Sequence, residues 1–251
     1  MPKTKFQAQL DDVENLLSLA ESITLRDPAL SYLPYRPTPS PLLAGAVVLL
    51  CARFEEFIKD VIRYALERHN YAAPPITLWD LPQELQIRLI SKNLTTALEG
   101  KRYGIQRQAG DRIAEGLTAA NHVISGMIHA EYAIETGGNP GPETVKALMQ
   151  LVGLKDPWKE ITENFNANYK TPLLPSLAGI DVGKLEERLR QLLNSRNVVA
   201  HSGASIPVSS NEIRFDVHFM SQLSISIYEV LKKHVQEFAS TAGRTPGHWN
   251  A

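Results

Sequence analysis

The chain has 251 residues, a formal net charge of −1, 43% hydrophobic and 21% charged residues. These values describe an ordinary globular protein whose core needs no staples, and they exclude a protein coated in basic surface. Any contact with nucleic acid must come from a local patch, so its affinity is expected to be modest and salt-sensitive.

The one cysteine, Cys51, excludes an internal disulfide and fits a reducing compartment. It ends an apolar run, Leu42 to Cys51, that is about half the length of a membrane span. Arg53, Glu55 and Glu56 follow at once, so Cys51 reads as core packing. No signal peptide is expected behind Met1-Pro2-Lys3-Thr4-Lys5. The expected location is cytoplasmic, without a membrane partner.

The apolar positions Phe6, Leu10, Val13, Leu16, Leu17, Ala20 and Ile23 recur at helical spacing and predict a first helix over 6–25, ended by Asp27-Pro28. Pro34, Pro37, Pro39 and Pro41 then predict a stiff connector. The strongest helix is predicted over 42–70, with Leu50, Phe54, Phe57, Ile58, Val61, Ala65 and Leu66 on one side and Glu55 supporting Lys59 on the other. A helix from near Pro82 to Gly100 follows, then a basic loop, and another helix over 111–135. Pro142 and Pro157 open two short helices. Asp181 caps a helix through about Val199, halted by Ser202-Gly203. Glu212 to Val217 alternates enough for a brief strand, a final helix spans about 219–240, and 243–251 reads as a frayed tail. No repeat of fixed period is visible. The expected fold is all-α, a single domain over 1–251 built as a bundle of about four long helices, with short helices inserted at about 140–170.

The hexad Arg196-Asn197-Val198-Val199-Ala200-His201 carries the chemistry. Leu185, Leu189, Leu192 and Val199 keep to one stripe of their helix, and Arg196 falls inside it. An arginine on an apolar seam is costly unless it is paired or faces a cleft, and such conflicts mark functional sites. Asn197 and His201 are four apart, placed for the amide to hydrogen-bond the imidazole and fix its tautomer. Arg196 and His201 are five apart, about 140° around a straight helix. Either the helix unwinds before His201, or a second copy of the helix completes the site.

Fourteen arginines and seven histidines in 251 residues give roughly 0.4 chance matches to Arg-x4-His, so spacing alone is weak. A near match, Arg63 to His69, lacks a polar residue after the arginine and reads as solvated surface. Lys101, Arg102 and Arg107 surround Tyr103, a composition that can hold an RNA backbone and stack a base; the plain alternative is a solvated loop. His122 and His129 are too far apart in sequence, and too few, for zinc. No phosphate-cradling glycine loop and no nucleophile elbow appears. No metal and no cofactor is expected.

In the penultimate long helix of an all-α chain, Arg196-Asn197-x-x-Ala200-His201 resembles the signature of the HEPN superfamily, Arg-x4–6-His with a polar residue after the arginine. Leu49 to Phe57 resembles the acidic-aromatic helix of its stand-alone members. Gly138 to Glu143, leading to Gly153 to Trp158, is similar to the insert of the RiboL-PSP type. The resemblance covers about residues 10–240. It implies a homodimer with a composite cleft and metal-independent endoribonuclease activity on RNA, in a toxin or anti-phage effector with an antitoxin or defence-system partner. By position, Arg196 and His201 would be catalytic and Asn197 supporting, with Glu56 a weaker supporting candidate. Some relatives carry a modified tyrosine two residues past the histidine; here Gly203 stands there. The alternatives are a non-catalytic RNA-binding or protein-interaction module of the same fold, or an effector subunit gated by a partner.

Overall fold

The computed structural model describes residues 1–24, 40–102, 105–131, 133–134, 136–138, 140–168, 179–202 and 209–249, without the side chains of Thr24, Lys101, Arg102, His201 and Ser202. Among these, eight α-helices carry the fold: α1 (Pro2–Thr24), α2 (Ser40–Arg68), α3 (Gln83–Leu98), α4 (Ala109–Ser125), α5 (Pro142–Leu151), α6 (Pro157–Asn168), α7 (Val182–Ser202) and α8 (Ser210–Thr241). The only sheet among the described residues is a two-residue ladder, β1 (Lys101–Arg102) against β2 (Ile105–Gln106). The fold is all-α, with four helices longer than the rest, α1, α2, α7 and α8, and shorter helices between them. No helix of the described residues is long and apolar enough to cross a membrane.

The chain divides into two compact units. One comprises Met1–Ile58, Gly138–Glu143 and Trp158–Tyr228; the other comprises Lys59–Gly137, Thr144–Pro157 and Glu229–Ala251.

In the first unit the predicted stripes become the core. Phe6, Leu10, Val13, Leu17 and Ala20 of α1 are buried, as are Leu50, Phe54, Phe57 and Ile58 of α2. Phe6 meets Phe57 at 5.0 Å and Phe54 edge-on at 6.4 Å between ring centroids. Gln7 ties α1 to α8: its amide donates to Ser224 Oγ at 3.1 Å and accepts from Ser221 Oγ at 2.9 Å. Arg214 of α8 reaches Glu14 and forks onto Glu21 of α1. Trp158 opens α6 by donating its indole N–H to the Pro142 carbonyl at 3.0 Å, and Phe165 meets Phe219 of α8.

In the second unit α3 and α4 form an antiparallel hairpin joined by the β ladder, whose register pairs Lys101 with Gln106 and Arg102 with Ile105. They pack tightly at Gly116, where an added Cβ would lie 2.7 Å from Leu98 Cδ2.

Five expectations are corrected. The helix predicted over 111–135 stops at Ser125, because Gly126 takes a left-handed C-cap (φ 72°) and returns its N–H to Val123 O. The predicted strand 212–217 is the start of α8. A capping box decides it: Ser209 N–H and Oγ–H both donate to Glu212 Oε2, and Glu212 N–H donates back to Ser209 Oγ. In the predicted tail, residues 243–249 are docked, not frayed, and 250–251 lie outside the described residues. Ala73 and Thr245 exchange backbone hydrogen bonds at 2.9 Å, Trp249 is buried against Tyr64, and Arg68 donates to the His248 carbonyl. His69, read as surface, is 2% exposed and meets the edge of Phe238 at 5.1 Å. Pro41 lies inside the first turn of α2 rather than in a connector, a position where a missing N–H does no harm. Pro34, Pro37 and Pro39 lie outside the described residues.

Candidate active site

Helix α7 is built to present its last turns. Asp181 caps it, accepting the Lys184 N–H at 2.9 Å. Leu185, Leu189 and Leu192 bury the predicted stripe. Arg196 continues that stripe and is half-buried. The helix runs through Ser202, so it does not unwind before His201. The backbone holds Arg196 and His201 about 140° apart around one axis. The imidazole of His201 lies outside the described side chains.

Arg196 Nη1 donates to Asn197 Oδ1 at 3.1 Å. The amide oxygen thus orients the arginine; the bond that the spacing predicts between Asn197 and the imidazole falls on a side chain outside the described ones. Arg196 also lies close enough to Cys51 of α2 for its charge to act on the thiol. Burial pushes that thiol up to about 12; the Arg196 charge opposes the rise and the Asp216 carboxylate adds to it. Cys51 is therefore an inert packing residue, as its place in the apolar run predicted.

Sequence reasoning missed two residues beside this centre. Arg188, on α7, makes a close ion pair with Asp216 of α8, and its guanidinium lies 4.7 Å over the Phe215 ring. Asp216 is 8% exposed. Its burial raises its carboxyl to about 6, against the opposing pull of Arg188. A signal was present: Asp216 sits among Ile213, Val217 and Met220 at helical spacing, a charge on an apolar face like Arg196 on its own. The strand expected over 212–217 hid it. Arg196 and Asp216 therefore both act on the buried thiol, while Arg188, two turns earlier on α7, is occupied by Asp216.

Glu56 is occupied elsewhere. Its carboxylate takes Lys5 Nζ at 2.7 Å, Gln9 at 3.0 Å and Arg53 at 3.3 Å. The Lys5 contact does most to hold it below the usual carboxylate range. Five residues beyond Cys51, it lies about 140° around α2 and serves the α1–α2 contact.

The basic loop is likewise only partly available. Arg107 donates to the carbonyls of Thr96, Ala97 and Glu99 at 3.0–3.2 Å and pairs with Glu115 at 2.6 Å. It neutralises the carbonyl end of α3, so its guanidinium is spent inside the hairpin and not presented to solvent. Tyr103 and the side chains of Lys101 and Arg102 lie outside the described residues.

His122 and His129 lie 4.1 Å apart between ring centroids with their planes tilted by 39°, although His129 lies beyond the end of α4. Among the described residues no group of three or more His, Cys, Asp or Glu could hold a metal ion.

No curated protein and no solved structure matches the chain. A family model described as RiboL-PSP-HEPN matches residues 6–233, from the first buried aromatic of α1 into the last third of α8, and takes in the whole hexad. With that match over an all-α fold, the chain belongs to the RiboL-PSP-HEPN family.

Proposed function

We propose that the chain is a metal-independent endoribonuclease in which Arg196 and His201 do the chemistry and Asn197 orients Arg196. The observation that carries this reading is the placement of Arg196: half-buried on the apolar stripe of α7, fixed by Asn197, one and a half turns before a histidine on an unbroken helix. Family membership supports it.

The nucleophile is the substrate's own 2′-hydroxyl, so the step needs no metal-activated water. The 2′-oxygen attacks phosphorus as its proton passes to a base. The P–O5′ bond breaks as that oxygen takes a proton from an acid. The products are a 2′,3′-cyclic phosphate and a 5′-hydroxyl. A histidine titrates near pH 6.5 in the ordinary case and can fill either proton-transfer role, worth about 10²–10⁴ in rate. Arg196 offers permanent charge and two parallel N–H donors to the phosphorane oxygens, a contact worth about 3–4 kcal/mol in the transition state.

Because an unbroken helix sets Arg196 and His201 about 140° apart, one copy of α7 does not turn both to the same phosphate by spacing alone. In this reading a homodimer completes the cleft, with RNA as substrate and an antitoxin or defence-system partner restraining the enzyme in the cytoplasm.

The test is cleavage of structured and unstructured RNA in EDTA by wild type and by His201→Ala, with folding checked by circular dichroism and product ends mapped. Wild type alone should cut and leave cyclic phosphates. Equal cutting by both proteins would rule out His201. No cutting by a folded wild-type dimer, with salt-sensitive RNA binding retained, would replace the enzyme with a binding module.

A further inference from the structure

Large apolar side chains are unevenly exposed on this chain. On α4, Ile113 is 60%, Leu117 61% and Ile124 79% exposed. On α3, Ile87 and Leu98 are exposed too. They are eleven residues apart, about three full turns, so they share a face. The contact between the two helices is made by Leu94, Ala97 and Ala119, with Leu98 laid over Gly116. The exposed stripes border that seam. Monomeric proteins rarely leave a contiguous apolar face of this kind open to water.

We propose that the α3–α4 hairpin is a self-association surface and that its occupant is the same hairpin of a second copy of this chain, packed antiparallel about a two-fold axis. Three observations select a second copy over an unrelated protein. First, the α4 stripe is complementary to itself. Ile113, Leu117, Ala120 and Ile124 fall within a sector of about 60°. Laid antiparallel, Ile113 meets Ile124 of the second copy while Leu117 meets Ala120, and the reverse contacts repeat across the axis, as a two-fold interface requires. Second, the α4 stripe at the centre of the pairing carries no opposing charge, and Glu84, Arg88 and Lys92 of α3 fall at its rim. From Ile113 to Met127 the only acidic or basic side chain other than His122 is Glu115, and that is bound to Arg107. Third, the area suffices. The five exposed side chains leave on the order of 600 Å² of apolar surface per copy, against about 800 Å² in total per partner for a standard interface, before any polar rim is added.

The inference does not depend on the chemistry proposed for α7. It is tested on the full chain by light-scattering mass at tens of micromolar, for wild type, Leu117→Glu and Ile124→Lys. Both sites point to solvent in one copy, so helical circular dichroism and melting of the isolated subunit should survive the substitutions. Each variant should show half the assembly mass of wild type, whether wild type is a dimer through this face or a larger assembly with a second contact. A wild-type monomer, or folded variants that both keep the wild-type mass, would overturn the proposal.

Discussion

Acid should destabilise this chain through one side chain that carries no part in its proposed chemistry. His69 follows the end of α2 in the second unit, where it is 2% exposed, meets the edge of Phe238 and has a buried Nδ1 without a hydrogen-bond partner. Burial, helped by the charge of His234, lowers its imidazole from 6.5 to about 4. A histidine depressed in the folded state favours folding above its unfolded value, and that contribution disappears as the pH falls through the folded one. The loss therefore runs from about pH 6.5 down to about pH 4. Moving a titration midpoint by one pH unit corresponds to about 1.4 kcal/mol, so His69 should withdraw about 3 kcal/mol across that window. Carboxylates titrate over the lower part of the same range, so wild type is compared with His69→Phe, which keeps an apolar ring and removes the proton. Urea unfolding at half-unit steps of pH gives both stability curves. The gap between them should change by about 3 kcal/mol between pH 6.5 and 4, with wild type losing more. Parallel curves would refute the buried, neutral histidine. So would an imidazole resonance of His69 titrating near pH 6.5 in NMR.

Two further outcomes follow from packing. Trp249→Ala should remove the ring that closes the docked tail against Tyr64, costing about 3–5 kcal/mol and lowering the melting temperature by about 10 °C; an unchanged calorimetric melt would mean the tail does not dock. Cys51, with its thiol pushed up to about 12, should resist alkylation at pH 8 in the native protein and react at once in urea. Native labelling at the rate of a free thiol would contradict its burial.

The legible parts of this fold are those where one physical signal dominates. Helix α2 is plain because Leu50, Phe54, Phe57, Ile58, Val61, Ala65 and Leu66 repeat on one face, and all seven are buried. The start of α8 is ambiguous because Ile213, Phe215 and Val217 also alternate. The local capping box at Ser209 and Glu212 settles it, and that pattern is readable in the sequence. Gly126 is equally readable as a helix stop. The docking of Trp249 and the burial of His69 depend on partners far away in sequence, which periodicity does not report. The same holds at the candidate site. The hexad stands out through a local conflict, an arginine on a leucine stripe. The Arg188–Asp216 pair is a contact between two helices, and only one half of it looks anomalous in its own segment. Arg107 shows the reverse case: a cation in a basic loop suggests a ligand, but the open end of α3 consumes it.

Whether Arg196 and His201 act on one phosphate is decided by a double-mutant cycle in single-turnover RNA cleavage, in EDTA, with wild type, Arg196→Ala, His201→Ala and the double variant. Two groups that act on one transition state lose their effect together. Each single variant should fall by about 10²–10⁴, and the double variant should fall little further than the worse single. Losses that simply multiply, or a wild type that leaves the RNA intact, would contradict a shared Arg196–His201 centre.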